Sequence, residues 1–415
     1  MTTTASRRVP LLVLALLVSL TRTGLPQARE PATAPSTAPA ADDRPLLLVH
    51  YMPWFESKPV SGVWGWHWTM NKFDPEKVGP DGRRQIASHY YPLTGPYDSA
   101  DPHVLEYHAL LMRIAGIDGV IADWYGIDGI FDYPVIHRRT QLLFDEARRR
   151  GLRFAVCYED RVLKVAQERR QATTRQAMDR GQAHVRYVAE QWFRDPLYAR
   201  WDGRPLLLVF GQEYLSRAEH WAHVFEPLGG RDAWPALFAQ RPIAGITAGT
   251  FAWPPMWKSE GGVLKRDALD AYLDDVYARG PATIGAAFPG FHDIYAEAGA
   301  QPTHGRLDDA DGDTLRHTLS RAVAAKVPLI QLVTWNDFGE GTMLEPTREH
   351  GYRSLEIIQQ ARRTTDPTFR FTPDDLRLPL RIYEMRKRAS TKLDDAAEAL
   401  AGGDSAKARS LLEAP

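Results

Sequence analysis

The sequence predicts an α/β fold, a (β/α)8 barrel of the TIM type with an appended C-terminal helical hairpin. Two observations carry that expectation. From Pro45 onward, short apolar runs rich in β-formers alternate with longer stretches whose apolar residues recur at spacings of three and four. That alternation marks βα units around a parallel sheet. No glycine-rich phosphate loop follows the first run, which argues against a doubly wound open sheet.

The runs read as strands are 46–51, 117–123, 153–158, 206–210, 242–247, 283–288 and 329–334, with an eighth placed at 234–239. Helices are expected at 103–115, 135–150, 178–193, 265–279 and 313–326. DGRP at 202–205 is a turn that delivers the fourth strand, with Pro205 enforcing extension. Past Phe371 the texture becomes charged and helical with a break at Gly402-Gly403, which reads as the hairpin. The resulting division is 1–28 signal peptide, 29–44 Pro/Ala-rich linker, 45–370 catalytic domain and 371–415 helical extension.

Arg7 and Arg8 precede an apolar run from Val9 to Leu20, too short for a comfortable bilayer span and suited to a signal-peptide core. The expectation is export to the periplasm or the extracellular space. An N-terminal membrane anchor is the alternative, because no clean small-x-small cleavage site precedes Arg29. With 415 residues, 44% hydrophobic and 25% charged, the rest can bury a large core. A formal net charge of -1 gives no electrostatic footprint for nucleic acid. The sole cysteine, Cys157, lies in an apolar run and reads as a small buried hydrophobe. CxxC pairs and HExxH are absent, so no metal or cofactor is expected. The acidic stretch 308–313 has the wrong spacing for an EF-hand loop; it reads as a solvated loop with Asp313 capping the next helix.

In a barrel, residues at the C-terminal ends of the strands share one rim. Here those exits are crowded with aromatics and carboxylates, including Trp54, Asp123-Trp124-Tyr125, Tyr158-Glu159-Asp160 and Trp335-Asn336-Asp337. Four of the 12 tryptophans fall between Trp54 and Trp68, in a polar loop that also carries His67. Rings stack on sugar C–H faces while carboxylates and amides bond hydroxyls, so the rim suits a carbohydrate. His67 and His292 are further rim hydrogen-bonding groups. Asp337 and Glu340, three residues apart at the last strand exit, can divide the acid and base work of glycosidic cleavage if Gly339 and Gly341 let the loop turn tightly.

Four segments, WNDFGEGTMLEPT, ASHYYPLTGPYDSADPHVLEYH, GIDGVIADWYG and PGFHD, resemble the bacterial proteins grouped as glycoside hydrolase family 71/99-like. The similarity runs from about Pro45 to about Arg363. It implies a (β/α)8 barrel and activity on α-linked mannans or glucans, with an oligosaccharide or polysaccharide as partner. Family 99 enzymes carry E-x-x-E here, a general base acting on the sugar 2-hydroxyl and a general acid. The resemblance gives those roles to Asp337 and Glu340, and Asp337 is one methylene shorter. Family 71, the α-1,3-glucanases, has a segment nearer to Asn336, Asp337, Gly339 and Glu340, and implies inversion. Tyr51, Trp124 and Glu159 match positions lining sugar subsites, beside Trp54, Tyr125, Trp335 and Asn336 at the rim. The expected function is an exported, endo-acting glycoside hydrolase. A catalytically inactive carbohydrate-binding protein on the same barrel is the alternative.

Overall fold

A computed structural model of the chain describes residues 44–280, 282–388 and 393–413. The expected leader at 1–28 and the linker up to residue 43 lie outside the described residues. Eight parallel strands form the barrel: β1 (Leu46–Tyr51), β2 (Gly119–Trp124), β3 (Arg153–Glu159), β4 (Arg204–Phe210), β5 (Ala236–Ala239), β6 (Gly249–Phe251), β7 (Thr283–Ala287) and β8 (Leu329–Leu332). Each pairs with its sequence neighbour, and β8 closes on β1 with Leu46 opposite Leu329 and Val49 opposite Leu332. The strands are nearly continuous apolar runs because side chains on both faces are covered, inside by the barrel core and outside by helices.

Helices Pro102–Ala115, Tyr133–Arg149, Thr174–Gln191, Arg266–Tyr277 and Asp313–Ala324 fall where periodicity placed them. The first is fixed by Asp101, whose carboxylate accepts from the His103 amide at 2.9 Å, and by Pro102 in its first turn. The eighth strand, placed at 234–239, is present as β5.

The 242–247 strand is corrected. Pro242 cannot donate to a ladder, Gly245 takes φ 71°, and the Thr247 hydroxyl accepts from the Ile243 amide at 3.0 Å, closing a turn. The chain enters the barrel two residues later, as β6, and no helix separates β5 from β6. Asp313 is corrected too: it lies inside the first helical turn and pairs with Arg266 at 2.8 Å, the N-cap being Gly312.

Beyond the barrel, Leu378–Arg386 packs on Pro102–Ala115, and Leu393–Ala401 pairs with Ser405–Glu413 as the expected hairpin. Buried Glu106 ties the layers together, accepting from Arg150 at 2.7 Å and from Arg386 at 2.9 Å. The described residues from 44 onward form one compact unit, so the extension shares the barrel's packing. Among the described residues no helix is long and apolar enough to cross a membrane.

Candidate active site

The turn after β8 is built by its own backbone. The Asp337 amide donates to Thr334 Oγ1 at 2.8 Å, and the Thr334 amide donates to the Thr342 carbonyl at 2.9 Å, folding the segment back on itself. Gly341 is required twice over, because its φ is 67° and a Cβ there would lie 2.6 Å from the His292 carbonyl oxygen. The His292 and Ile294 amides in turn donate to the carbonyls of Glu340 and Gly339, at 2.8 and 3.0 Å. Both acids are thereby held facing the barrel mouth.

They open into a cavity of about 420 Å³, walled by His50, Met52, Trp54, Asp123, Tyr125 and Glu159 from the first three strand exits. Arg161, Phe210, Gly211, Glu213, Trp253, Tyr295, Gln301 and His304 complete the wall with Asp337 and Glu340. A second cavity of about 340 Å³ adjoins it across Trp54, Tyr125, Tyr295 and Asp337, and carries Trp66 and His67 on its far side. Trp54 lies flat on His67, with ring centres 4.2 Å apart, and Tyr125 on Tyr133 at 4.5 Å. Stacked rings of this kind present rigid apolar faces to a ligand.

Five carboxyl groups, those of Asp123, Glu159, Glu213, Asp337 and Glu340, share the first cavity, and among the described residues the only lysine or arginine on its wall is Arg161. Burial pushes Glu340 well above the ordinary range, and the charges of Asp337 and Asp293 add to the rise. Burial also raises Asp337, to about 6, against the backbone amides of Glu340 and Gly339, which favour its charged form. The Glu340 amide lies 2.9 Å from Asp337 Oδ1. Asp123 is pushed up to about 8 by burial and by Asp337, with the Tyr125 hydroxyl opposing. Glu159 is raised by burial, then by Asp123 and Asp160. Burial thus opposes ionisation of Asp123, Glu159, Asp337 and Glu340, and of these Asp337 is the one whose charged form backbone amides favour.

Of the residues singled out in the sequence, Trp54, His67, Tyr125, Glu159, Asp337 and Glu340 line the two cavities. Tyr51, Trp124, Trp335, Asn336 and His292 do not. Successive side chains on a strand point to opposite faces. His50 and Asp123 point inward, so their neighbours Tyr51 and Trp124 point into the helical layer. There Tyr51 pairs with His108 Nδ1 at 3.0 Å, and Trp124 donates to His137 Nδ1 at 3.1 Å. Trp335 is fully buried with its ring 5.4 Å from that of His108, and Asn336 bonds the backbone of Met52. His292 stacks on His89 at 3.8 Å and supports Glu340 through its backbone.

The sequence reading missed His50, Arg161, Trp253, Tyr295, Gln301 and His304. Trp253 follows β6 and would have been found with that strand in its true place. His50 is hidden by its position inside an apolar strand; burial depresses it to about 3, so it is a neutral imidazole against the edge of Trp253, 4.9 Å away. His50, Asp123 and Cys157 bring donor atoms within 4.8 Å of one another on the inner wall.

Asp160 braces the site from outside. Its buried carboxylate accepts from the amides of Glu213, Tyr214 and Leu215 at 2.8, 3.0 and 2.6 Å, fixing the loop after β4 that carries Glu213. Asp160→Ala should lower folding stability by about 3 kcal/mol, because three amides lose a charged partner. Chemical denaturation checks this, and a loss below about 1 kcal/mol would mean the loop holds itself.

Residues 44–238 match the model of glycosyl hydrolase family 99. Over that stretch, just under half of its length, the chain resembles this family. The match covers β1 to β5 and ends before the turn bearing Asp337 and Glu340. The chain is 21% identical over 338 residues to the glycoprotein endo-alpha-1,2-mannosidase of Mus musculus, covering 72% of the chain and 67% of the relative. It is 22% identical over 338 residues to that of Rattus norvegicus, covering 71% and 66%. The chain thus spans about two thirds of the length of these relatives. The endo-alpha-mannosidase of family 99 from Bacteroides thetaiotaomicron, solved with bis-tris-propane, superposes with a TM-score of 0.57 at 18% identity, over 79% of this chain and 99% of that one. At that identity the likeness establishes the shared barrel.

Proposed function

We propose that the protein hydrolyses α-mannosidic linkages within an oligosaccharide or polysaccharide, with Glu340 as general acid and Asp337 as general base. The observation that carries this reading is that one tight turn presents both carboxyls to a single aromatic-walled cavity, in environments that separate their proton affinities. Glu340, protonated, donates to the glycosidic oxygen as the bond to the anomeric carbon breaks. Asp337, ionised, accepts the proton of the attacking group, water or the sugar's own 2-hydroxyl. Neither step calls for a cofactor. The relatives named as endo-alpha-mannosidases support the mannose assignment, and the two adjoining cavities support binding of sugars on both sides of the bond. Arg7, Arg8 and the apolar run after them support export as the setting.

The test is purified protein incubated with α-mannan and with α-1,3-glucan, the first product sized and its anomeric form read by NMR. Release of oligosaccharides from α-mannan is the expected result. Release from the glucan alone would move the substrate, and binding without cleavage of either would identify a carbohydrate-binding protein. The pH profile is a further expectation. A base must be ionised to act, so kcat/KM should fall as pH drops through about 6, the value burial gives Asp337. A fall at high pH should follow as Glu340 loses its proton. An acid limb near 4 would mean that Asp337 is not the base.

A further inference from the structure

Behind the cavity, and reaching its wall only through the backbone of Met52, lies a chain of buried polar groups that the proposed chemistry does not use. Glu345 follows the active turn, with its amide donating to the Trp335 carbonyl at 2.9 Å. Its Oε2 accepts from the Tyr97 hydroxyl at 2.8 Å. That same hydroxyl oxygen accepts from Asn336 Nδ2 at 3.0 Å. Asn336 spends the rest of its amide on β1's exit: Nδ2 donates to the Met52 carbonyl at 3.0 Å, and Oδ1 accepts from the Met52 amide at 2.8 Å. Glu345 Oε1 stands 3.2 Å from His108 Nε2, without hydrogen-bond alignment, and His108 Nδ1 meets the Tyr51 hydroxyl. Tyr97, Asn336 and Glu345 are at most 3% exposed.

A buried carboxyl is costly, and well-packed apolar residues of similar volume would serve stability as well or better. Its presence here calls for a use other than packing. We propose that Glu345, acting through Tyr97 and Asn336, is a positioning residue that fixes Asp337 against the first strand. Asn336 is the residue before Asp337, so a restrained Asn336 amide sets the backbone from which the Asp337 carboxyl projects. Glu345 grips the turn from its far end, and Tyr97, from the loop between β1 and β2, completes a brace independent of the backbone ladder. The inference rests on Asp337 being the general base.

The variant that isolates the brace is Tyr97→Phe, which removes one oxygen and keeps the ring; Glu345→Gln serves the same purpose if the first fails to fold. Two readouts are taken. On the polysaccharide the native protein cleaves, kcat should drop about tenfold with KM within about twofold, the pattern of a misplaced reacting group. In protein labelled with 13C at aspartate carboxyls, with Asp337→Asn giving the assignment, the Asp337 titration midpoint should rise by about half a unit or more as the amides of Gly339 and Glu340 lose their fixed aim. A lowered melting temperature with kcat and midpoint both unchanged would show a purely structural network and overturn the proposal. If the native protein cleaves nothing, the hydrolase reading fails on its own, and the NMR midpoint alone decides whether the brace acts on Asp337.

Discussion

Glu340→Gln is expected to lower kcat on an unactivated α-mannan by about a thousandfold, within the range that a positioned proton donor supplies. The amide keeps the size and the contact with Tyr295 but has no proton to give to a departing sugar oxygen. Fluoride as leaving group needs little protonation, so the loss on an α-mannosyl fluoride should be far smaller. The contrast between the two substrates is the diagnostic part, because a folding defect or a lost binding contact would depress both alike. Full activity of Glu340→Gln on the polysaccharide would remove Glu340 from the acid role.

Asp337→Asn is expected to lower kcat by about 10² to 10⁴, and here the two substrates should suffer together, since a base is needed whichever group departs. The backbone amides of Glu340 and Gly339 that stabilise the Asp337 anion can still bond an amide oxygen, so the turn should hold its shape. The acid limb of the pH profile near 6 should vanish in whatever activity remains. A variant that keeps that limb would place the titrating group elsewhere, and Asp123 and Glu159 in the same cavity are the first to examine.

The barrel was legible in the sequence because its strands are buried on both faces and stand out as apolar runs between amphipathic helices. The misreading at 242–247 shows the limit of that signal. The run is apolar enough for a strand, and only the conformations of Pro242 and Gly245 turn it into a corner. The site was half legible. The turn after β8 announced itself through two acids, an amide and two glycines in six residues, and the aromatic wall through its tryptophans. What composition cannot supply is the parity of each strand. Tyr51 and Trp124 carry the side chains expected of a sugar site, yet each sits one position away from the inward-pointing residue, so His50 and Asp123 take the places assigned to them. Groups such as Tyr295 and His304 come from loops whose path is set by tertiary packing, for which no spacing rule exists.

The Asn336 clasp on Met52 joins positions 284 residues apart. Contacts so distant along a polypeptide form late, since the ends must first be brought together. A nascent molecule emerging from the ribosome therefore carries no assembled acid pair until its final strand has been made and seated, and cleavage power should arrive in a single event at ring closure.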